Sequence, residues 1–132
     1  MTEPGPTPVG FSAADLDSLR TAQEVRIETT RADGAPVHRT VIWVVVDARG
    51  RALVRSYRGA GARWYREARA HPDCRLHVAG RVLDVRAVVA DDADRIRACS
   101  EGFWAKYPSD PATPAMVADA VLSTTLELMP TP

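Results

Sequence analysis

Apolar and polar residues alternate with a period of two over several short segments of the chain. Residues 25–29 alternate in this way, which is typical of a strand with one wet face. The runs 74–78 and 83–89 repeat the alternation on either side of Gly80 and predict a hairpin. Segments this short and this closely spaced favour antiparallel strands over parallel ones.

One segment is apolar at consecutive positions instead of alternate ones. Residues 41–46 read Val-Ile-Trp-Val-Val-Val, and such a run suits a strand that is covered on both faces. We therefore predict a single central strand over 37–47, entered from a turn at Asp33-Gly34. A turn at 48–50 then leads into a partner strand over 51–57 and completes an antiparallel hairpin.

The remaining elements are predicted from helical spacing, capping residues and prolines. Ser12 is a suitable N-cap for the first helix, and Pro72 ends the second because proline disfavours helical geometry in the residue before it. The predicted helices cover 12–22, 63–70, 91–107 and a turn around 114–120, and a closing strand covers 124–129. About six antiparallel strands are too few for a sandwich, so we expect an α+β, mainly β fold: a small six-stranded antiparallel barrel with flanking helices.

Length and composition fit one domain. Of the 132 residues, 11–132 are expected to form it, whereas the proline-rich residues 1–10 are expected to form a disordered tail. The longest apolar run is far shorter than the roughly 20 residues that a membrane span needs, and no segment resembles a signal peptide. The expected location is therefore cytoplasmic, without a membrane partner.

Charge is balanced over the whole chain but not along it. The formal net charge is zero, which argues against a nucleic-acid partner for the molecule as a whole. Residues 49–86 nevertheless hold ten arginines and three acids, whereas 91–132 hold seven acids and three basic residues. A basic barrel that binds nucleic acid remains an alternative on this block of charge alone.

The cationic block contains the most informative motif. The predicted strand 51–57 runs into Arg58-Gly59-Ala60-Gly61-Ala62-Arg63-Trp64, and the next helix ends at Ala70-His71-Pro72. A glycine-bearing loop that enters a helix presents backbone N–H groups to an anion. Arg58 and Arg63 flank this loop, and a guanidinium can bind two phosphate oxygens at once. We interpret the loop as a phosphate-binding segment, and the alternative is a solvated arginine-rich loop.

This motif resembles the split β-barrel superfamily that includes pyridoxamine-phosphate oxidases and deazaflavin-dependent reductases. The resemblance covers roughly residues 23–129. It implies FMN or a deazaflavin (coenzyme F-420) as cofactor, and a homodimer with clefts at the subunit boundary. The loop lacks the lysine of the Ser-Arg-Lys-like clamp of flavin oxidases, and His71 replaces the commoner asparagine. These departures leave the identity of the cofactor open.

The candidate cofactor-binding residues lie on two strands, in the loop and at the start of the helix. Strand alternation favours Ser56 as a pocket hydroxyl and Arg55 as an edge contact, and Arg39 could reach the same end of the barrel. Trp64 could stack on the ring of the cofactor, and the alternative is a place in the core or at a dimer interface. The full predicted set is Arg39, Arg55, Ser56, Arg58, Gly59, Gly61, Arg63 and Trp64.

No catalytic group and no metal site is predicted from the residues of the chain. His38, His71 and His77 fall on separate elements, and Cys74 and Cys99 are interpreted as buried thiols. In flavin chemistry the cofactor carries the hydride, so this absence is compatible with the resemblance. We predict an oxidoreductase that transfers a hydride to a small unsaturated or quinone-like substrate. The alternative is a cofactor-free split-barrel dimer that acts as a binding or structural module.

Overall fold

The computed structural model describes residues 10–30 and 37–131. Within them the chain forms seven strands: β1 (Val25–Thr29), β2 (His38–Ile42), β3 (Val45–Val46), β4 (Ala52–Val54), β5 (Asp73–Val78), β6 (Arg81–Val89) and β7 (Leu126–Pro130). The helices are α1 (Ala13–Thr21), α2 (Arg63–Ala70), α3 (Ala93–Lys106), α4 (Thr113–Met116) and α5 (Asp119–Leu122), with a short 3-10 helix at Gly59–Gly61. Residues 1–9 of the expected tail and the predicted turn at Asp33-Gly34 lie outside the described residues.

All strand pairs are antiparallel, and the sheet has the order β2-β1-β5-β6-β7-β4-β3. β2 and β3 lie at opposite edges of this order, yet only Trp43 and Val44 separate them in the chain. Two residues bridge no more than about 10 Å, so the two edges of the sheet must approach each other. The sheet therefore curls into a half-barrel, and the expected mainly β, α+β class is confirmed with seven strands instead of six.

The prediction of one central strand over 37–47 is wrong. The chain leaves β2 after Ile42, and Val41 on this edge strand is 48% exposed. The apolar run serves two separate cores: Ile42 and Val44 pack inside the curled sheet, whereas Val45 packs in a second cluster with α3. Because the chain passes from one core to the other, it bends between them and divides into two strands.

Both predicted hairpins are present. β3 pairs with β4 through Val45 with Leu53, and β5 pairs with β6 across the turn at Ala79-Gly80. β4 ends at Val54, so the predicted strand over 51–57 is shorter than expected. α2 ends at Ala70, before Pro72, as predicted.

The two cores hold both cysteines as buried free thiols. The larger core fills the curl of the sheet and includes Cys74, and the smaller one lies beneath α3 and includes Cys99. Burial raises the pKa of Cys74 to about 11 and that of Cys99 to about 12. Both thiols therefore stay protonated near neutral pH. None of the helices in the described ranges combines the length and apolar character that crossing a bilayer requires.

At Gly102, α3 packs tightly against Val45 of β3. A Cβ at this position would lie 2.8 Å from Cγ2 of Val45. We expect Gly102→Ala to lower the free energy of unfolding by about 1–2 kcal/mol, because overpacking outweighs the gain in helix propensity of about 1 kcal/mol. Urea denaturation measures the effect.

The matched control for this substitution removes the contact from the other side. The Cβ of Val45 would itself lie 2.9 Å from the new methyl group, so Val45→Gly is the substitution that makes room for it. Gly102→Ala should cost less in the Val45→Gly background than in the wild type, which a double-mutant cycle detects. An increase in stability on Gly102→Ala alone would contradict the packing argument.

Candidate functional site

A long groove runs between β2 and the segment that connects β4 to α2. Its volume is about 980 Å³, and Thr40 and Val41 form part of one wall. Arg58 from the connecting segment and Arg63 and Arg66 from α2 line the groove on the other side, and all three are exposed. No acidic residue is found among the described residues of its lining. We call this feature the arginine groove.

The loop on this wall is shaped by short local hydrogen bonds. The Gly59 N–H donates to the Ser56 carbonyl at 3.0 Å, and the Ser56 hydroxyl donates to the Gly59 carbonyl at 2.6 Å. Gly59 has a φ of +78°, a left-handed conformation that glycine adopts without strain. A Cβ on Gly61 would meet no atom within 4 Å, so the backbone there is open to a ligand.

The N-terminus of α2 at this loop lacks a side-chain cap. Ser12 caps α1 and Asp92 caps α3, but Ala62 at the N-cap of α2 makes no side-chain hydrogen bond. The first turn of α2 contains no acid and begins with Arg63. Cations at the positive end of a helix are unfavourable unless an anion neutralises them. The groove is therefore positive, and no acidic side chain of the loop or of the first turn neutralises the free backbone N–H groups at the start of α2.

A smaller, mainly apolar cavity opens beside the arginine groove. Its volume is about 260 Å³, and we call it the tryptophan cavity because Trp43 and Trp64 line it. Trp43 stacks on Tyr107 with ring centroids 3.9 Å apart, which holds its ring in place. The residues that line both the groove and the cavity are Val41, Tyr57 and Trp64. The two spaces are therefore neighbours.

Arg55 lines the tryptophan cavity and is the largest fully buried side chain, with 1% exposure. Its guanidinium donates to Thr125 Oγ1 at 2.8 Å, Ser100 Oγ at 2.7 Å, the Met116 carbonyl at 3.2 Å and the Ile96 carbonyl at 2.7 Å. All four acceptors are neutral. No ion pair in the described part of the chain includes Arg55, and burial lowers its pKa.

The predicted site residues divide into those that the structure brings together and those that it does not. Arg58, Gly61, Arg63 and Trp64 line the arginine groove, and Arg55 and Trp64 line the tryptophan cavity. Gly59 shapes the loop. Ser56 is fully buried and bonds within the loop instead of presenting a pocket hydroxyl, and Arg55 is an interior residue instead of an edge contact. Arg39 lies apart, with its side chain 57% exposed and its Nε 3.3 Å from Glu28 Oε1.

Several lining residues were not predicted from the sequence. Arg66 follows Arg63 at helical spacing, so the periodicity of α2 would have placed it on the same face. Tyr57 is an aromatic residue directly before the loop and is 59% exposed. Ala112 and Met116 reach the cavity from the segment after α3, and no pattern in the sequence indicates this contact.

Two histidines pair with carboxylates that are distant in the sequence. His38 Nδ1 lies 3.1 Å from both oxygens of Glu67, and Thr29 donates to the same carboxylate at 2.8 Å. Burial works to raise the pKa of Glu67, but hydrogen bonds from Thr29 and His38 hold it below its usual value. His77 lies 2.9 Å from Glu28, and this hydrogen bond lowers the pKa of Glu28.

Neither pair lines the groove or the cavity, so their contribution to the site is indirect. Glu67 ties α2 to β1 and β2 and thereby holds one wall of the groove against the sheet. Within residues 10–30 and 37–131, no three potential metal ligands come together.

Comparison with known proteins identifies both a family and a fold. The family model described as "Uncharacterized protein conserved in bacteria (DUF2255)" matches residues 15–128. No curated protein matches the sequence.

Among solved structures, a conserved hypothetical protein from Mycobacterium tuberculosis is similar with a TM-score of 0.66 and 16% identity, over 93% of this chain and 81% of that one. A Listeria innocua protein provisionally named pyridoxamine 5'-phosphate oxidase is similar with a TM-score of 0.65 and 13% identity, over 90% of this chain and 92% of that one. An F420-H2 dependent reductase (FDR-A) is similar with a TM-score of 0.60 and 18% identity, over 80% of this chain and 92% of that one. At these identities the comparisons establish the fold, and they confirm the resemblance to the split β-barrel superfamily.

Proposed function

The chain belongs to the uncharacterised bacterial family DUF2255, and we propose that it binds FMN or a deazaflavin (coenzyme F-420) and acts as an oxidoreductase on a small unsaturated or quinone-like substrate. The observation that carries this proposal is the arginine groove, in which three arginines surround an uncapped helix N-terminus beside an apolar cavity. A protein of the same fold is an F420-H2 dependent reductase, which supports the choice of cofactor class.

The donor set of the groove fits a phosphate group. Arg58 and Arg63 offer charged N–H forks, and the uncapped start of α2 offers backbone N–H groups in the field of the helix dipole. No carboxylate among the described lining residues competes for these donors. The open space at Gly61 lets a phosphate approach the backbone.

The sizes of the two spaces suggest how cofactor and substrate share the site. The groove, at about 980 Å³, has room for a whole cofactor. The cavity, at about 260 Å³, is smaller than the roughly 300–1,000 Å³ of typical ligand pockets and suits a small substrate. Trp64 lines both, but it is only 6% exposed and packs in the larger core, so it would form part of the wall between cofactor and substrate and would not be an open stacking surface.

The chain would contribute binding, orientation and exclusion of water. A bound flavin or deazaflavin supplies the hydride, so the protein needs no nucleophile of its own. Trp43 and Met116 keep the cavity apolar, and the stacking of Trp43 on Tyr107 fixes one of its walls. Such fixed walls hold a substrate close to the cofactor in a defined orientation.

We further propose that a second copy of the chain covers the rim of the groove in a homodimer. Val41 is 48% exposed and Tyr57 is 59% exposed, and both line the groove and the cavity. Exposed apolar side chains at the edge of a binding site are typical of surfaces that become covered. No nucleic-acid or membrane partner is part of the proposal, and we propose a cytoplasmic location.

One observation favours the alternative of a cofactor-free split-barrel dimer that acts as a binding or structural module. Lys106 is the one lysine in the sequence. It lies at the end of α3 and donates to the carbonyls of Leu19 at 2.9 Å and Val44 at 2.7 Å. A lysine of the kind that completes the clamp of flavin oxidases is therefore absent from the groove, and arginines alone must bind the phosphate.

Fluorescence titration of the dialysed protein at physiological salt separates the two functions. We expect saturable binding of FMN or of the deazaflavin in the low micromolar range. Riboflavin, which lacks the phosphate, is the matched ligand and should bind at least about 10-fold more weakly than FMN if the groove holds the phosphate. Binding of neither cofactor would overturn the proposal and favour the cofactor-free module.

A further inference from the structure

Arg55 is a buried cation that lines an otherwise mainly apolar cavity and has no acidic partner among the described residues. We propose that the tryptophan cavity binds a small planar molecule with a negative charge, an aromatic or conjugated carboxylate, whose charge Arg55 neutralises. That this anion is the substrate of a redox reaction rests on the proposed function. The binding of the anion in the cavity is independent of the proposed function.

The first argument is electrostatic. Burying a charge is costly unless an opposite charge or several hydrogen bonds compensate it. The acceptors around Arg55 are two hydroxyls and two backbone carbonyls, so hydrogen bonds hold the guanidinium but leave its charge unneutralised. An anion that enters the cavity would interact with this charge at low dielectric, where attraction between ions is strong.

The second argument is a count of donors. A guanidinium has five N–H groups. The four hydrogen bonds of Arg55 use Nε once, Nη1 twice and Nη2 once. One N–H of Nη2 therefore has no acceptor among the described residues. Because Arg55 lines the cavity, a carboxylate there could accept this hydrogen bond and also neutralise the charge of the guanidinium.

The third argument is the shape and chemistry of the remaining wall. Ile42, Met116 and two tryptophans give the cavity broad apolar surfaces that suit a flat ring. A dry cavity of about 150 Å³ can hold benzene, so one of about 260 Å³ has room for one or two fused rings.

The test compares 1-naphthoate with 1-naphthamide, which have nearly the same shape and differ in charge. Isothermal titration with the wild-type protein should show 1-naphthoate binding at least about 10-fold more tightly than 1-naphthamide. Equal affinities would overturn the proposal, because they would mean that Arg55 does not recognise the charge.

Three variants locate the binding. Ala112→Phe fills the cavity without changing Arg55 and should abolish binding of 1-naphthoate. Arg58→Ala with Arg63→Ala changes only the groove and should leave the affinity within about threefold, since neither side chain lines the cavity and exposed charges are screened by salt. Arg55→Lys keeps the charge but loses the fork, and should reduce the preference for carboxylate over amide. Loss of binding in the groove variant, or full binding in Ala112→Phe, would overturn the proposal.

The same protein sample separates this inference from the proposed function. If 1-naphthoate binds as expected and neither FMN nor the deazaflavin binds, the anion site stands and the oxidoreductase function fails. If a cofactor binds and 1-naphthoate binds no better than its amide, the function stands and the anion site fails.

Discussion

Arg58→Ala combined with Arg63→Ala should weaken cofactor binding by about 100-fold or more and leave the Tm of the cofactor-free protein unchanged. Each charged hydrogen bond to a phosphate contributes about 1.5–3 kcal/mol, and a loss of about 3 kcal/mol corresponds to a factor of more than 100 in Kd. Both side chains are exposed and line the groove, so the folded chain loses little by their removal. Fluorescence titration and thermal denaturation measure the two effects.

The matched control removes two exposed arginines elsewhere. Arg26 on β1 and Arg97 on α3 do not line the groove, and the double alanine variant of these two should bind the cofactor within about twofold of the wild type. Loss of fold in the Arg58/Arg63 variant would mean that these arginines are structural. Unchanged affinity would mean that the phosphate does not bind in the groove.

Arg55→Met should destabilise the fold by about 3–5 kcal/mol, because it leaves several buried polar groups without a donor. Arg55 connects α3, α4 and the residue just before β7 through Ser100, Met116 and Thr125. For a domain of this size the loss corresponds to a fall in Tm of roughly 10–20 °C. Thermal and urea denaturation of the purified variant measure it.

Arg39→Met is the control for this prediction. Arg39 is 57% exposed and its contact with Glu28 is a partly exposed ion pair, so its removal should cost about 1 kcal/mol or less. If Arg55→Met were as stable as Arg39→Met, the four hydrogen bonds of Arg55 would contribute nothing net to stability, contrary to our expectation.

The sequence predicted the strands whose residues alternate, since one face of each packs on the core and the other meets water. β5 and β6 and their turn are the clearest case. It did not predict the break at Trp43-Val44, because a continuous apolar run is compatible both with one covered strand and with a chain that passes between two cores. Only the tertiary packing distinguishes these arrangements.

The arginine groove was within reach of the sequence because its donors lie within one loop and the first turns of one helix. The tryptophan cavity was not predicted, since Arg55 meets groups from three later parts of the chain that only the fold brings together. Alternation placed Arg55 on the same face as Leu53, and both residues contact α3. Alternation could not show that α3 covers this face, which makes Arg55 an interior residue.

The position of β7 in the sheet has a consequence for synthesis of the protein. β7 pairs with β6 on one side and with β4 on the other, although it follows both in the chain. While the nascent chain lacks residues 126–130, β6 keeps an unpaired edge and the β3–β4 hairpin has no sheet to join. Such edges are prone to pair with other chains. The half-barrel must therefore be completed after β7 has left the ribosome, and until then the edges of β4 and β6 that face β7 stay open to pairing with other chains.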